Sequence, residues 1–455
     1  MLKKELGGIL KVSIIMFYGI LKGKERDKLK DKLKVFIFLM CLLLSAGVAR
    51  AEGNVLKGHH LGKWKIDFGA DERLRGEYKE DFDFNKNKKD SGSLIFHRLK
   101  LNSSAALGDK YELFLEGMDL QVGNHRLKKP DQADDFDLHQ AYFRMNDVAG
   151  LPFDVKLGRQ EMKYGKGRLI WAATWSNRIN HFDAGVLHYK DGGFYADLIS
   201  GLRVGYDNNN FNRPNTHDMI NGIYAGYQKD KQSPLIEPYF LANIDAEDLN
   251  NLKRFTTGFR LQANLLKDIT FDLEVPYQFG RDKGKSVSAY AIHFDAGRSF
   301  DIPWKPKVNL AYNLASGDRK AGDSKTNTFI PLYQSTHDPY GIMDFFRWEN
   351  MQEAAVEVTL NPHKKWKIIP ATNFFWLESD VDSWYDSSGK KLRTDTTGGA
   401  DSFVGQEASL VIKYDLNDSI KIDSGYAHFF TGPYVKDTGT HNDADWLYLQ
   451  FNIKI

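Results

Sequence analysis

Apolar and polar side chains alternate along much of this chain, and this period of two is the feature that most restricts its fold. Residues 254–265 place phenylalanine, threonine, leucine and alanine at the odd positions, whereas the even positions include Arg254 and Arg260. Residues 269–279 repeat the pattern after a link of only three residues. A period of two is typical of a β-strand with one apolar and one polar face, and the short link predicts a hairpin.

Similar segments recur from residue 64 to the end of the sequence. Short connections between them take turns with long polar ones, the longest of which is Asp318–Trp348. An even number of strands, with short turns at one end and long loops at the other, is typical of bacterial outer-membrane barrels. We count about 18 segments, at 64–78, 95–107, 111–121, 136–146, 153–162, 181–190, 193–203, 219–229, 234–244, 254–265, 269–279, 287–297, 307–317, 349–361, 366–378, 402–415, 419–430 and 444–455.

The energetics of a bilayer decide which face of these strands points outward. An arginine on the lipid side would cost ~2–4 kcal/mol near the midplane, so Arg254 and Arg260 have to face the lumen. An open sheet would leave backbone groups unpaired in lipid, so the strands have to close. We therefore predict an all-β fold in the bacterial outer membrane: a transmembrane antiparallel β-barrel of about 18 strands over residues 63–455, with short periplasmic turns and long extracellular loops.

The only long apolar run lies near the N-terminus. A basic stretch, Lys22–Lys34, precedes the uncharged run Val35–Val48, which is followed by Ala49-Arg50-Ala51. This layout predicts a secretory signal peptide at residues 1–51 and a short periplasmic segment at 52–62. The alternative is an uncleaved anchor helix, which would need ~20 apolar residues to span the membrane.

Cleavage of this signal would change the charge and the thiol content of the protein. It would remove Cys41, the only cysteine, together with 11 Lys or Arg and 4 Asp or Glu. The remaining 51 basic and 56 acidic residues give a net charge of −5. A mildly acidic chain argues against nucleic acid as a partner, and a chain without thiols has no disulfide.

Alternation also assigns a set of cations to the lumen. Fixed positive charge there would replace part of the water shell of a carboxylate, and arginine can bind a carboxylate in bidentate fashion. Acidic residues such as Glu116, Asp272 and Glu274 face inward as well, so pairing across strands is the alternative role of these cations. The pattern leaves both interpretations open, a selective anion path or ordinary charge balance. The candidates are Arg73, Arg75, Arg98, Lys100, Arg144, Arg254 and Arg260.

A group of short motifs resembles the alginate export family of outer-membrane barrels. These motifs are Leu138–Tyr142, Leu157–Glu161, Tyr164–Ile170, Trp175–Asn177, His181–Asp183, Gly317–Arg319, Phe329–Tyr333, Thr336–His337 and Tyr340–Gly341. The resemblance implies an 18-stranded barrel that exports an anionic exopolysaccharide through an arginine-lined lumen. It also implies that residues within these motifs shape a constriction, and the alternative is that they only pair a loop with the wall. The residues concerned are Arg159, Arg168, Asp183, Asp318 and Arg319.

Two expectations concern the constriction itself. A barrel of about 18 strands encloses an aqueous channel unless loops plug it, and Asp318–Trp348 is the best candidate for such a loop. Simple alternation from Leu157 places Arg159 on the lipid side. That position would require a bulge or a location near the water boundary.

Together these features predict a passive channel for an anionic, alginate-like exopolysaccharide, with a porin for small solutes as the alternative. A barrel hydrolase is a third class, but we recognise no Ser/His/Asp or paired-carboxylate cluster in the sequence. We therefore predict no enzyme, no cofactor and no metal site. The expected partners are the polysaccharide or a small anionic solute, the lipids and lipopolysaccharide of the outer membrane, and a periplasmic secretion partner.

Overall fold

The computed structural model describes residues 56–455, apart from 89–90, 125–131, 209, 250, 267, 321, 336, 338 and 396. The predicted signal peptide at 1–51 and residues 52–55 of the predicted periplasmic segment lie outside these residues. Eighteen strands follow one another around a single sheet. They are β1 Trp64–Glu80, β2 Gly92–Leu107, β3 Tyr111–Asn124, β4 Asp134–Met145, β5 Phe153–Gln160, β6 Phe182–Asp191, β7 Phe194–Gly205, β8 Arg213–Tyr227, β9 Leu235–Ile244, β10 Leu252–Leu266, β11 Ile269–Asp282, β12 Lys285–Ser299, β13 Lys307–Ala315, β14 Met351–His363, β15 Trp366–Trp376, β16 Phe403–Asp415, β17 Ile420–Thr431 and β18 Ala444–Lys454.

The sheet closes on itself because the last strand pairs with the first. β18 runs antiparallel to β1, with Lys454 opposite Asp71 and Asp445 opposite Glu80. The other neighbouring pairs are antiparallel as well. Closure pairs the strand edges that lipid could not solvate. The predicted antiparallel barrel of about 18 strands is confirmed.

The two faces of the wall differ as the alternation predicts. On β10, Phe259 is 40% exposed on the outside, whereas its neighbour Arg260 is 2% exposed and faces the interior. The outer surface that meets lipid carries apolar side chains along most strands. Examples are Leu113, Leu115, Leu157, Leu198, Ile223, Ile236, Phe240 and Leu310.

Long connections gather at one end of the barrel, the outer end. With two shorter ones, and as far as the structure describes them, the connections at this end fall within residues 81–91, 125–133, 161–181, 206–212, 245–251, 283–284, 316–350, 377–402 and 432–443. Two of them depart from the predicted alternation of short and long, since 245–251 is short and 283–284 is a two-residue turn. Little chain therefore projects beyond the strand ends around β9–β11.

The outer half of the lumen holds an aromatic core. Phe346 stacks on Phe375 with ring centroids 3.9 Å apart, and Trp384 and Phe429 pack against the same group. The described residues also include short strands at His59–Leu61, Lys325–Thr326, Ser383–Tyr385 and Lys391–Thr394, a 3-10 turn at Val148–Gly150 and a helix, α1, at Pro433–Asp437. No described helix has the length and apolar character needed to cross a bilayer.

One glycine shows how closely neighbouring strands approach. Gly280 lies opposite Arg254 in the β10–β11 register and has a φ of 123°. A Cβ there would lie 2.0 Å from the Lys253 carbonyl oxygen. We expect Gly280→Ala to lower the free energy of unfolding by ~1–3 kcal/mol, because an alanine would strain the backbone.

Urea unfolding of the refolded barrel in phospholipid vesicles measures this change. Gly76→Ala is the matched control, because nothing lies within 4 Å of the position that its Cβ would take. Equal losses of stability in the two variants would contradict the prediction.

Candidate functional site

Two outer connections fold into the barrel and meet each other there. Segment 161–181 follows β5, and segment 316–350 follows β13. The Trp171 amide donates to the Tyr333 carbonyl at 2.8 Å, and the Tyr333 amide donates to the Leu169 carbonyl at 2.7 Å. We call these two segments together the plug. The expected constricting loop, Asp318–Trp348, thus lies in the lumen, and it shares that place with segment 161–181.

Arginines of the barrel wall hold the tip of segment 161–181. Arg73 donates to the carbonyls of Thr174 at 2.9 Å and Trp175 at 2.6 Å. Arg98 donates to the carbonyls of Thr174 at 2.9 Å and Ser176 at 3.0 Å. A carbonyl oxygen carries no net charge, so these bonds position the tip and leave the charges of Arg73 and Arg98 in place.

The Trp175 ring joins the wall to both segments of the plug. Arg75 lies 3.8 Å from the centroid of this ring, donates to the Trp175 carbonyl at 2.8 Å and pairs with Glu77 at 2.8 Å. His337, on segment 316–350, stacks on Trp175 with ring centroids 3.7 Å apart. His337 is in turn 2.8 Å from Asp344. Trp175 therefore fixes the position of the two segments relative to β1.

The other predicted lumen cations also point inward, and they form ion pairs with carboxylates of the barrel wall or the plug. This arrangement agrees with the pairing role that alternation left open. The pairs are Lys100 with Glu116 and Glu161, Arg144 with Glu112, Arg254 with Asp282, and Arg260 with Glu237 and Asp272.

Arg168 attaches the plug to the barrel wall. Its guanidinium donates to Glu274 at 2.7 Å and also binds Asp272, which Arg260 shares. All four charged groups are buried. Removing one partner of a buried ion pair typically costs ~3–5 kcal/mol, so this cluster fixes segment 161–181 against β11.

Arg159 and Asp183 lie on the outer face of the wall, so neither lines the lumen. Arg159 lies two residues after Leu157, whose side chain is 51% exposed on the lipid side. Its Nε donates to Asp183 at 2.7 Å, and Phe211 covers the guanidinium at 5.3 Å. The expectation that these two residues shape the constriction is therefore corrected. They tie β5 to β6 near the outer end of the barrel.

Asp318 and Arg319 stand at the outer start of segment 316–350. The Arg319 side chain is 71% exposed and binds Glu378. The Asp318 amide donates to Asp382 at 2.8 Å, and burial raises the pKa of the Asp318 carboxyl. Both residues connect this segment with the neighbouring connection 377–402. They lie at the outer mouth and not at the tip that narrows the lumen.

Strand β16 holds the middle of segment 316–350. The backbone amides of Ile342 and Met343 donate to the Glu407 carboxyl at 2.6 Å and 3.1 Å. Further along the segment, burial raises the pKa of Glu349 to about 7, although Arg347 lies 3.0 Å away. This carboxyl is partly protonated near neutral pH, so the plug adds less negative charge to the lumen than its composition indicates.

Two groups of residues among those described have the composition of a metal site, and the first is Glu116, His139 and Glu161. The Lys100 ammonium lies 3.3 Å from Glu116 and 2.9 Å from Glu161. It therefore occupies the place that a metal ion would take. A second group, Asp272 with His293 and Asp295, shares its first carboxylate with Arg168 and Arg260.

Beside the plug, a cavity of about 810 Å³ lies against the wall formed by β12–β18. Small side chains face inward on part of this wall, among them Ala311, Ala355, Ala371 and Ser409. Arg73 and Arg98 border it at the plug. A second cavity of about 420 Å³, lined by Arg144 and Lys156 among others, lies against β4–β7.

The sequence analysis missed two lysines that line the larger cavity. Lys367 and Lys413 lie directly opposite each other across β15 and β16, and both are exposed to the lumen. Neither forms an ion pair within 4 Å with a described residue. Their signal was present, because Lys367 follows the outward-facing Trp366 at the start of an alternating segment.

Loss of the Arg98 bonds should loosen the tip of the plug. Charge-assisted hydrogen bonds contribute ~1.5–3 kcal/mol each, so we expect Arg98→Gln to increase the motion of segment 161–181. The expected result in planar bilayers is a larger and noisier single-channel conductance. Arg144→Gln is the control, since it removes the same charge from the lumen without a bond to the plug. An unchanged conductance trace for Arg98→Gln would argue against the clamp.

The comparisons with known proteins agree with this architecture. Residues 64–448 match the family described as Alginate export. No curated protein matches the chain. Three solved structures from Pseudomonas aeruginosa have a similar fold, each matched over 86% of this chain: OpdK, an outer membrane protein (12% identity, 99% of its chain, TM-score 0.57), OpdO (11%, 97%, 0.57), and OccK2 (OpdF) in complex with glucuronate (10%, 98%, 0.57).

At such low identity these structures show the fold alone, whereas the family match spans nearly the whole barrel. The fold and the family place the protein in the bacterial outer membrane and indicate a channel rather than an enzyme. The chain belongs to the alginate export family of outer-membrane β-barrels.

Proposed function

We propose that this barrel is a passive channel that carries an anionic, uronate-containing polysaccharide from the periplasm to the exterior. The supporting observation is the excess of cations along the cavity beside the plug. Apart from Arg168, which pairs with Asp272 and Glu274, five Lys or Arg line it against four Asp or Glu. Such a lining attracts a polyanion and disfavours cations. Since the barrel itself supplies no energy, a periplasmic secretion partner would have to present the polymer.

The cations form a path between the periplasmic end and the middle of the barrel. Lys413 lies near the end of β16 and Lys367 near the start of β15, both at the periplasmic end. Arg73 and Arg98 follow at the plug. Like charges directly opposite each other across strands are unfavourable. Asp423 of β17 lies opposite Lys413 on its other side and balances part of this charge, and an anion that passes along the wall would meet the positive charge that remains.

The cavity also suits an extended chain. Small inward-facing side chains on β13–β16 leave room along the wall, while the plug is bound to β1, β2 and β11 on other sides and to Glu407 of β16 nearer the outer end. A linear polysaccharide needs a passage about one sugar ring wide. Transport from this cavity to the exterior would then require movement of the aromatic core that lies in the outer half of the lumen.

A porin for small anionic solutes is the second candidate. Many bonds hold the plug in place, and this observation favours the porin. A fixed narrow passage suits a single sugar at least as well as a chain. One protein of similar fold was solved in complex with glucuronate, a single uronate. The two candidates share the recognition of a carboxylate and differ in the length of the cargo.

Removing the lysine pair should reduce anion preference. We expect Lys367→Gln combined with Lys413→Gln to lower the anion-to-cation permeability ratio roughly 25-fold, since each of the two unit charges contributes ~1 kcal/mol, about fivefold, at close range in water. Reversal potentials across planar bilayers under a KCl gradient measure this ratio. Lys229→Gln is the matched control, because Lys229 is an exposed residue of a periplasmic turn. An unchanged permeability ratio in the double variant would contradict the role of the two lysines in anion preference.

The length of the cargo is tested in the same bilayers. For the wild-type channel we expect mannuronate oligomers to block the ion current from the periplasmic side and neutral dextran of equal length to leave it unchanged. A current carried by glucuronate without any block by oligomers would favour the small-solute porin. A cation-selective wild-type channel would contradict both candidates.

A further inference from the structure

Three cations lie close together on the outside of the barrel, at the outer ends of β10 and β11. Lys253 and Arg281 are directly opposite each other in the register, and Lys283 follows in the two-residue turn to β12. All three are exposed, and none pairs with a described carboxylate within 4 Å. We call them the rim cations.

Aromatic side chains lie on the same outer face, one step closer to the membrane centre. Phe255 and Phe279 are opposite each other with ring centroids 5.3 Å apart. Phe240, on β9, lies 5.7 Å from Phe255 and 6.5 Å from Phe279. The patch thus has positive charge at the headgroup level and an apolar surface at the level of acyl chains.

Three acidic residues nearby are engaged elsewhere. Asp245 and Glu247 contact His217 at 2.9 Å and 3.4 Å. Asp282 faces the lumen, where it pairs with Arg254 at 2.8 Å. Two like charges in direct cross-strand register are destabilising by ~0.2–1 kcal/mol, so the rim cations lack a partner that would favour their arrangement.

We propose that an outer-leaflet glycolipid binds here, with its phosphate groups on Lys253, Arg281 and Lys283. Its acyl chains pack against Phe240, Phe255 and Phe279. A phosphate has several acceptor oxygens and forms strong charge-assisted hydrogen bonds, so one group can bridge two cations. The connections that join these strands, 245–251 and 283–284, are short. On the β12 side, Lys325–Thr326 pairs with Ser286–Val287, and the outward faces of Lys253 and Arg281 remain exposed. The site does not depend on which cargo the channel carries.

Binding is tested with the purified full-length barrel, freed of lipid in detergent and titrated with diphosphorylated lipid A. The rise in melting temperature with lipid concentration gives an apparent affinity. Each cation near a lipid surface contributes about a fivefold factor, so the triple variant Lys253→Gln, Arg281→Gln, Lys283→Gln should bind on the order of 100-fold more weakly. Arg298→Gln should bind like the wild type. Arg298 is exposed at the periplasmic end of β12, with its guanidinium 5.1 Å from the Phe300 ring.

Several outcomes would overturn the proposal. These are wild-type affinity in the triple variant, an equal response to lipid A without phosphates, an equal response to phosphatidylglycerol, and an equal response to inorganic phosphate alone. Heat-modifiable migration on gels confirms that each variant is folded. Should the triple variant fail to fold, Arg281→Gln alone should weaken binding about fivefold, and unchanged binding there would equally refute the site.

Discussion

Backbone hydrogen bonding in a medium without water is the constraint on which this structure depends. Lipid cannot solvate an amide or a carbonyl group, so β18 has to return to β1 and close the sheet. Closure then separates the two faces of each strand, one toward lipid and one toward an aqueous interior. That separation is what allows Arg73, Arg98 and Arg260 to occupy a membrane protein at all, because they face inward.

The plug is a second level of organisation built on those inward charges. A loop that enters the lumen brings unpaired carbonyl groups, and arginines on the wall satisfy them, as Arg73 and Arg98 do for Thr174. Carboxylates on the wall satisfy amide groups in the same way, as Glu407 does for Ile342. The polar face of the strands therefore serves as a template for the segments inside the barrel, and the passage is the volume that these contacts leave free.

Local pattern could predict the fold but only part of the site. Alternation along residues such as 254–265 reports which way a side chain points, because this direction depends on the strand alone. It cannot report the partner, because the contact of Arg168 with Glu274 joins residues 106 positions apart. Arg159 illustrates the difference between the direction of a side chain, which the pattern predicts, and its partner, which the pattern does not predict. Alternation placed it correctly outside, whereas the family motif suggested the constriction, and only the fold brings Phe211 over it. For Lys367 the pattern could have given the inward direction, but its position opposite Lys413 becomes visible only when β15 and β16 pair.

The partner of a cation tells more about its role than its position in the sequence. Lys253 and Arg254 are neighbours, yet Arg254 bonds to Asp282 in the lumen while Lys253 faces Arg281 outside with no carboxylate. A cation bonded to a carboxylate is structural, since the pair is neutral. One bonded to a carbonyl, like Arg98, both positions the chain and keeps its charge. One that faces another cation remains available for an anion that the chain itself does not supply, as at Lys253 and Arg281 on the outside. Inside, Lys367 also faces Lys413, but Asp423 lies opposite Lys413 on its other side and supplies part of the balancing charge.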